Sequence, residues 1–110
     1  MSLYAQFIRE ASTDSIIENE EGFVTYRYLN DGHSVYMIDV YVIPSARIKG
    51  IFLDFVDAII KEAKEKGCKE ILGTISMTNP NRTMIMRGHM AYGMQLDSVA
   101  NNAIILRKDI

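Results

Sequence analysis

The sequence has little of several residue types, and each scarcity excludes a class of protein or site. Cys68 is the only cysteine among 110 residues, so no internal disulfide can form and no oxidising compartment is needed. One cysteine and two histidines are too few for a structural zinc site, and we predict no metal. No apolar run approaches the ~20 residues that span a bilayer, so we predict no membrane partner and a cytoplasmic location.

The excess of charge is small as well. A formal net charge of −2 gives no general attraction to nucleic acid, and we predict no such partner. An apolar content of 48% with 24% charged residues is typical of a globular protein. We expect residues 1–110 to form a single domain, because this length buries a core with little margin.

The first half of the chain predicts a short helix followed by antiparallel strands. Apolar spacing favours a helix over residues 3–11, with a strand as the alternative. Strands are predicted over 15–18 and 23–29, and Asn30-Asp31-Gly32 predicts the next turn. The strand over 35–43 is apolar on both faces, which predicts a central position. Strict alternation assigns its faces as Tyr36, Ile38, Val40, Val42 and Val35, Met37, Asp39, Tyr41, Ile43.

The second half predicts a crossover. Pro44 ends the strand, Ser45 is the predicted N-cap, and an apolar stripe predicts a helix over 46–66. A buried strand over 69–76 should then run parallel to the strand over 35–43. A helix over 82–92 and a strand pair over 94–96 and 103–107 complete the pattern. The fold class is therefore α/β (α+β): a mixed, mostly antiparallel sheet of about six strands with one parallel strand–helix–strand crossover.

The segment from Val42 to Phe52 carries the clearest chemistry. It leads from a buried strand into a helix, whose first N–H groups are unpaired and carry partial positive charge. Such a helix start binds phosphate, and Arg47 and Lys49 add positive charge there. Gly50 lets the backbone approach a ligand closely. A phosphate site is therefore one hypothesis for this segment, and a capped helix with two surface cations is the other.

The same segment resembles the GNAT superfamily of N-acetyltransferases, which carries V-x-P-x-x-[QR]-x-x-G-x-[GA] at such a junction. Val42, Pro44, Arg47 and Gly50 match this pattern in register. The resemblance extends through the element order from about Ser15 to the C-terminus, and it implies a GNAT-like domain that binds acetyl-CoA. It implies a set of coenzyme-binding positions at the motif and before the later helix: Tyr41, Val42, Arg47, Ile48, Lys49, Gly50, Ile51, Phe52, Asn79 and Asn81.

Three features depart from the family pattern. Phe52 stands where the family has Gly or Ala, and it either crowds the pyrophosphate or packs in the core. His89 stands four residues before Gly93, where the family often has a tyrosine that protonates the departing thiolate. The chain also carries only about a dozen residues before its first hairpin, so we expect it to lack most of the family's usual N-terminal strand and helices.

The resemblance implies an acetyltransferase that acts on a small amine or a protein amino group. Asp39 is the candidate general base, although a structural partner such as Arg27 or Tyr28 is the alternative. His89 is the candidate acid, and amides around Tyr41 and Val42 would polarise the thioester carbonyl. The alternatives are a non-catalytic GNAT-like module for binding or assembly, and an unrelated domain with another phosphate ligand. The uncovered sheet predicts a homodimer.

Overall fold

The computed structural model describes residues 2–110, without the side chain of Ile48. The helices are α1 (Leu3–Ala11), α2 (Ile51–Glu65) and α3 (Arg82–Ala91), and a 3-10 helix covers Pro44–Lys49. The strands are β1 (Ser15–Asn19), β2 (Gly22–Leu29), β3 (Ser34–Val42), β4 (Glu70–Ser76), β5 (Gln95–Ala100) and β6 (Ala103–Asp109). They form one sheet in the order β1-β2-β3-β4-β6-β5. The predicted six-stranded mixed fold is confirmed.

Only β3 and β4 pair in parallel among the described strands, as the predicted crossover requires. Three antiparallel pairs, β1–β2, β2–β3 and β5–β6, are consecutive in the chain and joined by short turns, whereas β4 and β6 pair across α3 and β5. Asn101 and Asn102 both have positive φ, which suits the two-residue turn between β5 and β6. The sequence predicted this hairpin but placed its strands too short, because Ser98 to Ala100 lack the apolar alternation that marks a strand.

The core lies between the sheet and α2. The buried face of α2 consists of Phe55, Val56, Ile59, Ile60 and Ala63, at the spacing of one helical stripe. Each large apolar side chain buried there contributes about 1.5–3 kcal/mol. Gly67 follows the helix with a left-handed φ of +85°, which lets the Cys68 N–H donate to the Ala63 carbonyl at 2.9 Å.

The start of α2 corrects one prediction. The single helix expected from Ala46, with Ser45 as its N-cap, is interrupted at Gly50, which has φ +77°. Residues before this break form the 3-10 helix, and α2 begins only at Ile51. Ser45 therefore lies inside the 3-10 helix, and no side chain caps α2. The apolar stripe did not reveal the break, because a left-handed glycine changes the direction of the chain without changing its apolar spacing.

Candidate active site

The parallel strands β3 and β4 separate at their carboxyl ends. Their pairing runs from Ser34↔Glu70 to Met37↔Gly73 and then stops, although both strands continue. At that point Ile38 has no partner on β2, because the register passes from Tyr26↔Met37 to Thr25↔Asp39. Ile38 is thus the extra residue of a β-bulge, which bends a strand and disrupts its ladder. Openings at the carboxyl ends of strands are common ligand sites in α/β folds.

The bulge also exchanges the two faces of β3. Before it, Val35 and Met37 are buried in the core. After it, Val40 and Val42 pack against the same core, whereas Asp39 is exposed. The strict alternation predicted from the sequence is therefore wrong beyond Ile38, because one inserted residue shifts a period-two pattern by one.

Two backbone N–H groups of β3 face the separation. The Ile43 N–H donates to the Glu21 carbonyl at 2.8 Å, and the Asp39 N–H donates to Thr25 Oγ1 at 3.1 Å, so both point toward the β2 side. Successive amides of a strand point in opposite directions. The Val40 and Val42 N–H groups therefore point away from β2, and the Tyr41 N–H points toward it. The predicted amide pair around Tyr41 and Val42 becomes Val40 and Val42 in this geometry.

A cleft of about 360 Å³ lies beside these amides. It collects side chains from the end of β3, the 3-10 helix, α2, the loop before α3, and α3 itself. Six of the predicted coenzyme-binding residues line it: Tyr41, Val42, Arg47, Phe52, Asn79 and Asn81. Four further lining residues were missed by the sequence reasoning: Val40, Met84, Ile85 and Gly88. The helical spacing of Met84, Ile85 and Gly88 was the available signal, since residues three and four apart share a helix face.

Arg47 and Lys49 have different positions in this motif. The Arg47 Nε donates to the Val42 carbonyl at 3.0 Å, and its guanidinium lies 5.8 Å from the centre of the Tyr41 ring. Arg47 is thereby held at the cleft. Lys49 instead forms an exposed ion pair with Glu21 at 3.2 Å and does not line the cleft.

The remaining motif residues lie beside the cleft and are not among its lining residues. Gly50 turns the chain, and Ile51 starts α2 and packs against the core. The side chain of Ile48 lies outside the described part of the structure. Gly50 and Ile51 form the uncapped start of α2. The first N–H groups of this helix have no side-chain partner among the described residues.

Phe52 is the second residue of α2, and its side chain packs against α3. A Cβ at Gly88 would lie 3.4 Å from its ring, so the absence of a side chain there leaves room for Phe52. The ring also meets the His89 imidazole edge-on, with the centroids 4.9 Å apart. Phe52 packs against the core and lines the cleft at the same time. The contacts agree with the core-packing interpretation, and the crowding of a pyrophosphate stays a prediction.

His89 is buried, with 2% of its surface exposed, and it does not line the cleft. Its Nδ1 lies 2.8 Å from the Ile85 carbonyl, which requires the proton on Nδ1. Burial lowers the pKa of His89 below its usual value, although the Ile85 hydrogen bond opposes this. A neutral imidazole with its proton on Nδ1 has no proton to donate from Nε2. This geometry favours a structural role over the predicted acid.

The imidazole also explains a glycine in β4. A Cβ at Gly73 would lie 2.6 Å from His89 Cδ2 and Nε2, so β4 has no space for a side chain at this point. Gly73 is also the last residue of β4 that pairs with β3. The contact between α3 and the sheet is therefore made where the two strands begin to separate.

A smaller cleft of about 170 Å³ adjoins the larger one and shares Val40, Asn79 and Ile85 with it. Asp39 lines this smaller cleft, together with Tyr36, Ile38, Thr74, Ile75 and Ser76. The structural partners considered for Asp39 bind elsewhere: Arg27 pairs with Asp14 at 2.6 Å, and the Tyr28 hydroxyl donates to Glu62 at 2.6 Å. Within residues 2–110 the Asp39 carboxylate has no hydrogen bond or ion pair.

Asn79 and Asn81 belong to the loop between β4 and α3. The Asn81 N–H donates to Asn79 Oδ1 at 2.8 Å, which fixes an Asx turn before α3. Asn79 is the predicted residue that lines both clefts. Among the described residues, no group of three or more His, Cys, Asp or Glu side chains is placed to hold a metal ion.

The sequence from residue 5 to residue 85 matches the model of the acetyltransferase (GNAT) family. This chain belongs to the GNAT family. The family uses acetyl-CoA as its acyl donor. Among curated proteins, none matches the sequence. Within the described residues, no helix is long and apolar enough to cross a membrane.

Solved structures of GNAT-type enzymes share this fold at low sequence identity. The PaiA N-acetyltransferase of Thermoplasma acidophilum, solved with coenzyme A, is 13% identical with a TM-score of 0.76 over 96% of this chain. An acetyltransferase of Bacillus subtilis, also solved with coenzyme A, is 12% identical with a TM-score of 0.71 over 96% of this chain. The IAA acetyltransferase of Bacillus cereus is 11% identical with a TM-score of 0.72 over 94%.

This GNAT chain spans only part of those proteins. It covers 66% of the Thermoplasma chain, which is slightly less than two thirds, and 80% and 85% of the two Bacillus chains. At these identities the likeness concerns the fold alone. The activity and the acceptor therefore depend on the residues of this chain.

Proposed function

We propose that this GNAT chain binds acetyl-CoA in the larger cleft and transfers the acetyl group to an amine. One observation carries the proposal: β3 leaves β4 after Met37, and the unpaired N–H groups of Val40 and Val42 face a cleft of about 360 Å³. Buried backbone N–H groups normally have partners, so such groups beside a cleft are available to a ligand. When bound, acetyl-CoA would supply an acetyl group activated as a thioester.

The residues present fit such a coenzyme. The Val40 and Val42 amides are donors for carbonyl oxygens, and Asn79 and Asn81 add side-chain amides at the cleft. Arg47 and the uncapped start of α2 provide positive charge for phosphate groups. Lys49 would act at longer range, because it is exposed and paired with Glu21. Phe52 narrows the cleft where the family has a smaller residue.

The reaction needs a neutral amine and a stabilised carbonyl oxygen. We assign the first task to Asp39, whose exposed carboxylate lines the smaller cleft and would accept a proton directly or through water. We assign the second to the Val40 and Val42 amides, which are held in place by the β2 ladder. His89 was the predicted proton donor for the thiolate, but its buried, Nδ1-protonated ring leads us to assign that proton to solvent.

A two-stage experiment tests this proposal. Thermal unfolding is measured with acetyl-CoA, coenzyme A and ATP, and thiol release is then followed with a panel of primary amines. A ligand at a hundred times its Kd stabilises the folded state by about 2.7 kcal/mol, so binding is readily seen. Absence of any shift with millimolar acetyl-CoA would refute coenzyme binding. The Phe52→Gly variant is expected to bind more tightly if the ring crowds the coenzyme.

The second candidate function is a non-catalytic GNAT-like binding or assembly module. Phe52 and His89 favour it, because both replace residues that the family uses at its site. Stabilisation by acetyl-CoA without thiol release from any amine would support this candidate over the enzyme. Selective stabilisation by ATP would instead support a domain for another phosphate ligand.

We also propose a homodimer and retain the predicted cytoplasmic location. All six residues of the edge strand β5 are exposed, including Leu96 at 59% and Val99 at 62%. A bulge at Asp97 places these two side chains on the same face of the sheet. Their cross-strand partners on β6 are Leu106 and Ile104. Burying them against a second copy would remove apolar surface from water. A monomeric mass in light scattering at micromolar concentration would refute the dimer.

A further inference from the structure

An exposed apolar surface lies on the face of the sheet that carries α1. It consists of Leu3, Tyr4, Phe7, Phe23 and Tyr41, which we call the α1 surface. Leu3 is 84% exposed and Phe7 is 60% exposed. The Tyr4 and Phe23 ring centroids are 5.0 Å apart, and those of Phe23 and Tyr41 are 6.2 Å apart, so these three rings form a continuous row. Phe7 lies one helical turn from Leu3 and Tyr4 on α1. Contiguous exposed apolar patches on globular proteins commonly mark interaction sites.

The α1 surface adjoins the smaller cleft. Asp39 and Tyr41 are two residues apart in β3 beyond the bulge, so their side chains lie on the same face. Burial raises the pKa of Tyr4, and the Asp39 carboxylate is the next largest cause, which places Tyr4 within electrostatic range of Asp39. A molecule lying on the α1 surface would therefore have its end at the cleft.

The size of the smaller cleft limits what it can hold. Its volume is about 170 Å³, whereas pockets that enclose a small molecule measure about 300–1,000 Å³. It has space for an amine and a short stem. An acceptor bound only there would bury little area, so its affinity must come from contacts outside the cleft.

The charges on this part of the molecule favour a cationic acceptor. Residues 1–45 carry two basic and seven acidic side chains, whereas residues 46–110 carry ten basic and seven acidic ones. Arg27 is already bound to Asp14, while the Asp39 carboxylate has no partner within the described residues. At the same cleft, Thr74 Oγ1 is buried without a hydrogen-bond partner in the described structure. A bound amine with its N–H groups would satisfy such an atom.

We propose that the acceptor is an amino group of a polypeptide, whose chain lies across the α1 surface while its amine enters the smaller cleft beside Asp39 and Thr74. This inference rests on the proposed acetyltransferase function. The amine nitrogen forms a bond to the acetyl carbon, and the acetyl–sulfur bond breaks with its electron pair remaining on sulfur. The proton lost by nitrogen passes to Asp39 or water, and solvent protonates the sulfur.

The test compares a peptide with a matched small amine. The peptide has about ten residues with one lysine as its only free amine, together with arginines and leucines. Its extended length of about 33 Å is close to the 31 Å maximum extent of the protein. Nα-acetyl-lysine amide presents the same amine without the flanking chain. We expect kcat/KM to be about tenfold higher for the peptide.

Substitutions separate the surface from the reaction. Phe7→Ser is expected to lower the peptide's kcat/KM about tenfold and to leave that of the small amine unchanged. Met90→Ser is the matched control, because Met90 is an exposed apolar residue of α3 with 52% exposure that lines neither cleft. It should change neither value. In heteronuclear NMR, the peptide should shift the amide signals of α1 and of Tyr41, which gives a readout besides turnover.

The outcomes distinguish this inference from the function on which it rests. Equal kcat/KM values for peptide and small amine, or equal losses for both in Phe7→Ser, would overturn the polypeptide acceptor alone. Conversion of a dimer to a monomer by Phe7→Ser would also overturn it, because a second copy would then cover the α1 surface. Lack of both thiol release and stabilisation by acetyl-CoA would overturn the proposed function and this inference together.

Discussion

The two halves of β3 have opposite roles in this molecule. From Ser34 to Met37 the strand is paired on both sides, with β2 and with β4. Ser34 is fully buried and its hydroxyl donates to Glu70 Oε2 at 2.6 Å, while Arg107 Nε donates to Glu70 Oε1 at 2.7 Å. Val35 and Ile71 are paired neighbours with no exposed surface. This half connects β3, β4 and β6 into the stable part of the sheet.

From Asp39 to Val42 the strand keeps β2 as its partner but has left β4. Its outward N–H groups face the larger cleft, and its exposed carboxylate faces the smaller one. One strand therefore provides stability where its hydrogen bonds are complete and provides a candidate site where they are not. The bulge at Ile38 marks the change from one role to the other.

The largest expected effect on stability comes from the paired half of β3, from Ser34 to Met37, and its partners on β4. Ile71→Ala removes a fully buried side chain, so the free energy of unfolding should fall by about 2–5 kcal/mol. Urea denaturation measures this change. Because Ile71 lines neither cleft, the Kd for acetyl-CoA of the folded protein should stay the same. A loss below about 1 kcal/mol would contradict the assignment of stability to this half.

The open half of β3, from Asp39 to Val42, is tested by removing single backbone N–H groups. Val40→Pro removes an N–H that points into the separation and leaves the β2 ladder intact, so turnover should fall about a hundredfold. Ile43→Pro is the matched control, since it removes the N–H that donates to the Glu21 carbonyl and lies outside both clefts, so it should mainly lower stability. Thiol release and urea denaturation report the two effects. Similar stability losses with unchanged turnover in both variants would remove the amides from the proposed mechanism.

The two motif cations should differ in their effect on coenzyme binding. Arg47→Met removes a guanidinium held at the cleft, and we expect the Kd for acetyl-CoA to rise about tenfold. Lys49→Met removes an exposed cation paired with Glu21 and should change the Kd less than about twofold. Isothermal titration calorimetry measures both. Equal effects would mean that the motif acts only through its net charge.

The smallest expected effect is the pH dependence of stability that Glu70 produces beside the paired half of β3. The Ser34 hydroxyl and then Arg107 hold the pKa of Glu70 below its ordinary value. The ionised carboxylate therefore contributes stability above the unfolded-state pKa of about 4.3, and this contribution is lost as pH falls through the folded-state pKa. Glu70→Gln should cost about 1 kcal/mol at pH 7 and less at pH 3.

Glu65, an exposed residue at the end of α2, provides the control for this prediction. Glu65→Gln should change stability little at either pH, because the residue lies outside the Ser34–Glu70–Arg107 network. Urea denaturation at both pH values checks the pair. A Glu70→Gln cost that is the same at pH 3 and pH 7 would show that the carboxylate charge contributes nothing.

Much of the fold follows from local patterns along the chain. The stripe from Phe55 to Ala63, the turn at Asn30-Asp31-Gly32 and the glycine after α2 each act over a few residues, so they were predictable. The motif likewise predicted that Arg47 and Phe52 belong near one site. Asn79 was predicted as a binding residue, but its place between two clefts was not, because a loop is positioned by the elements at its ends.

The sequence alone specifies the order of elements, the parallel crossover and the family, because periodicity and a short motif are properties of consecutive residues. The tertiary structure decided which groups meet. The bulge at Ile38 turns Asp39 away from the core, and the packing of α3 against Gly73 buries His89. Both depend on how β2, β4 and α3 contact β3 across large sequence separations, and no local pattern of residues records those contacts.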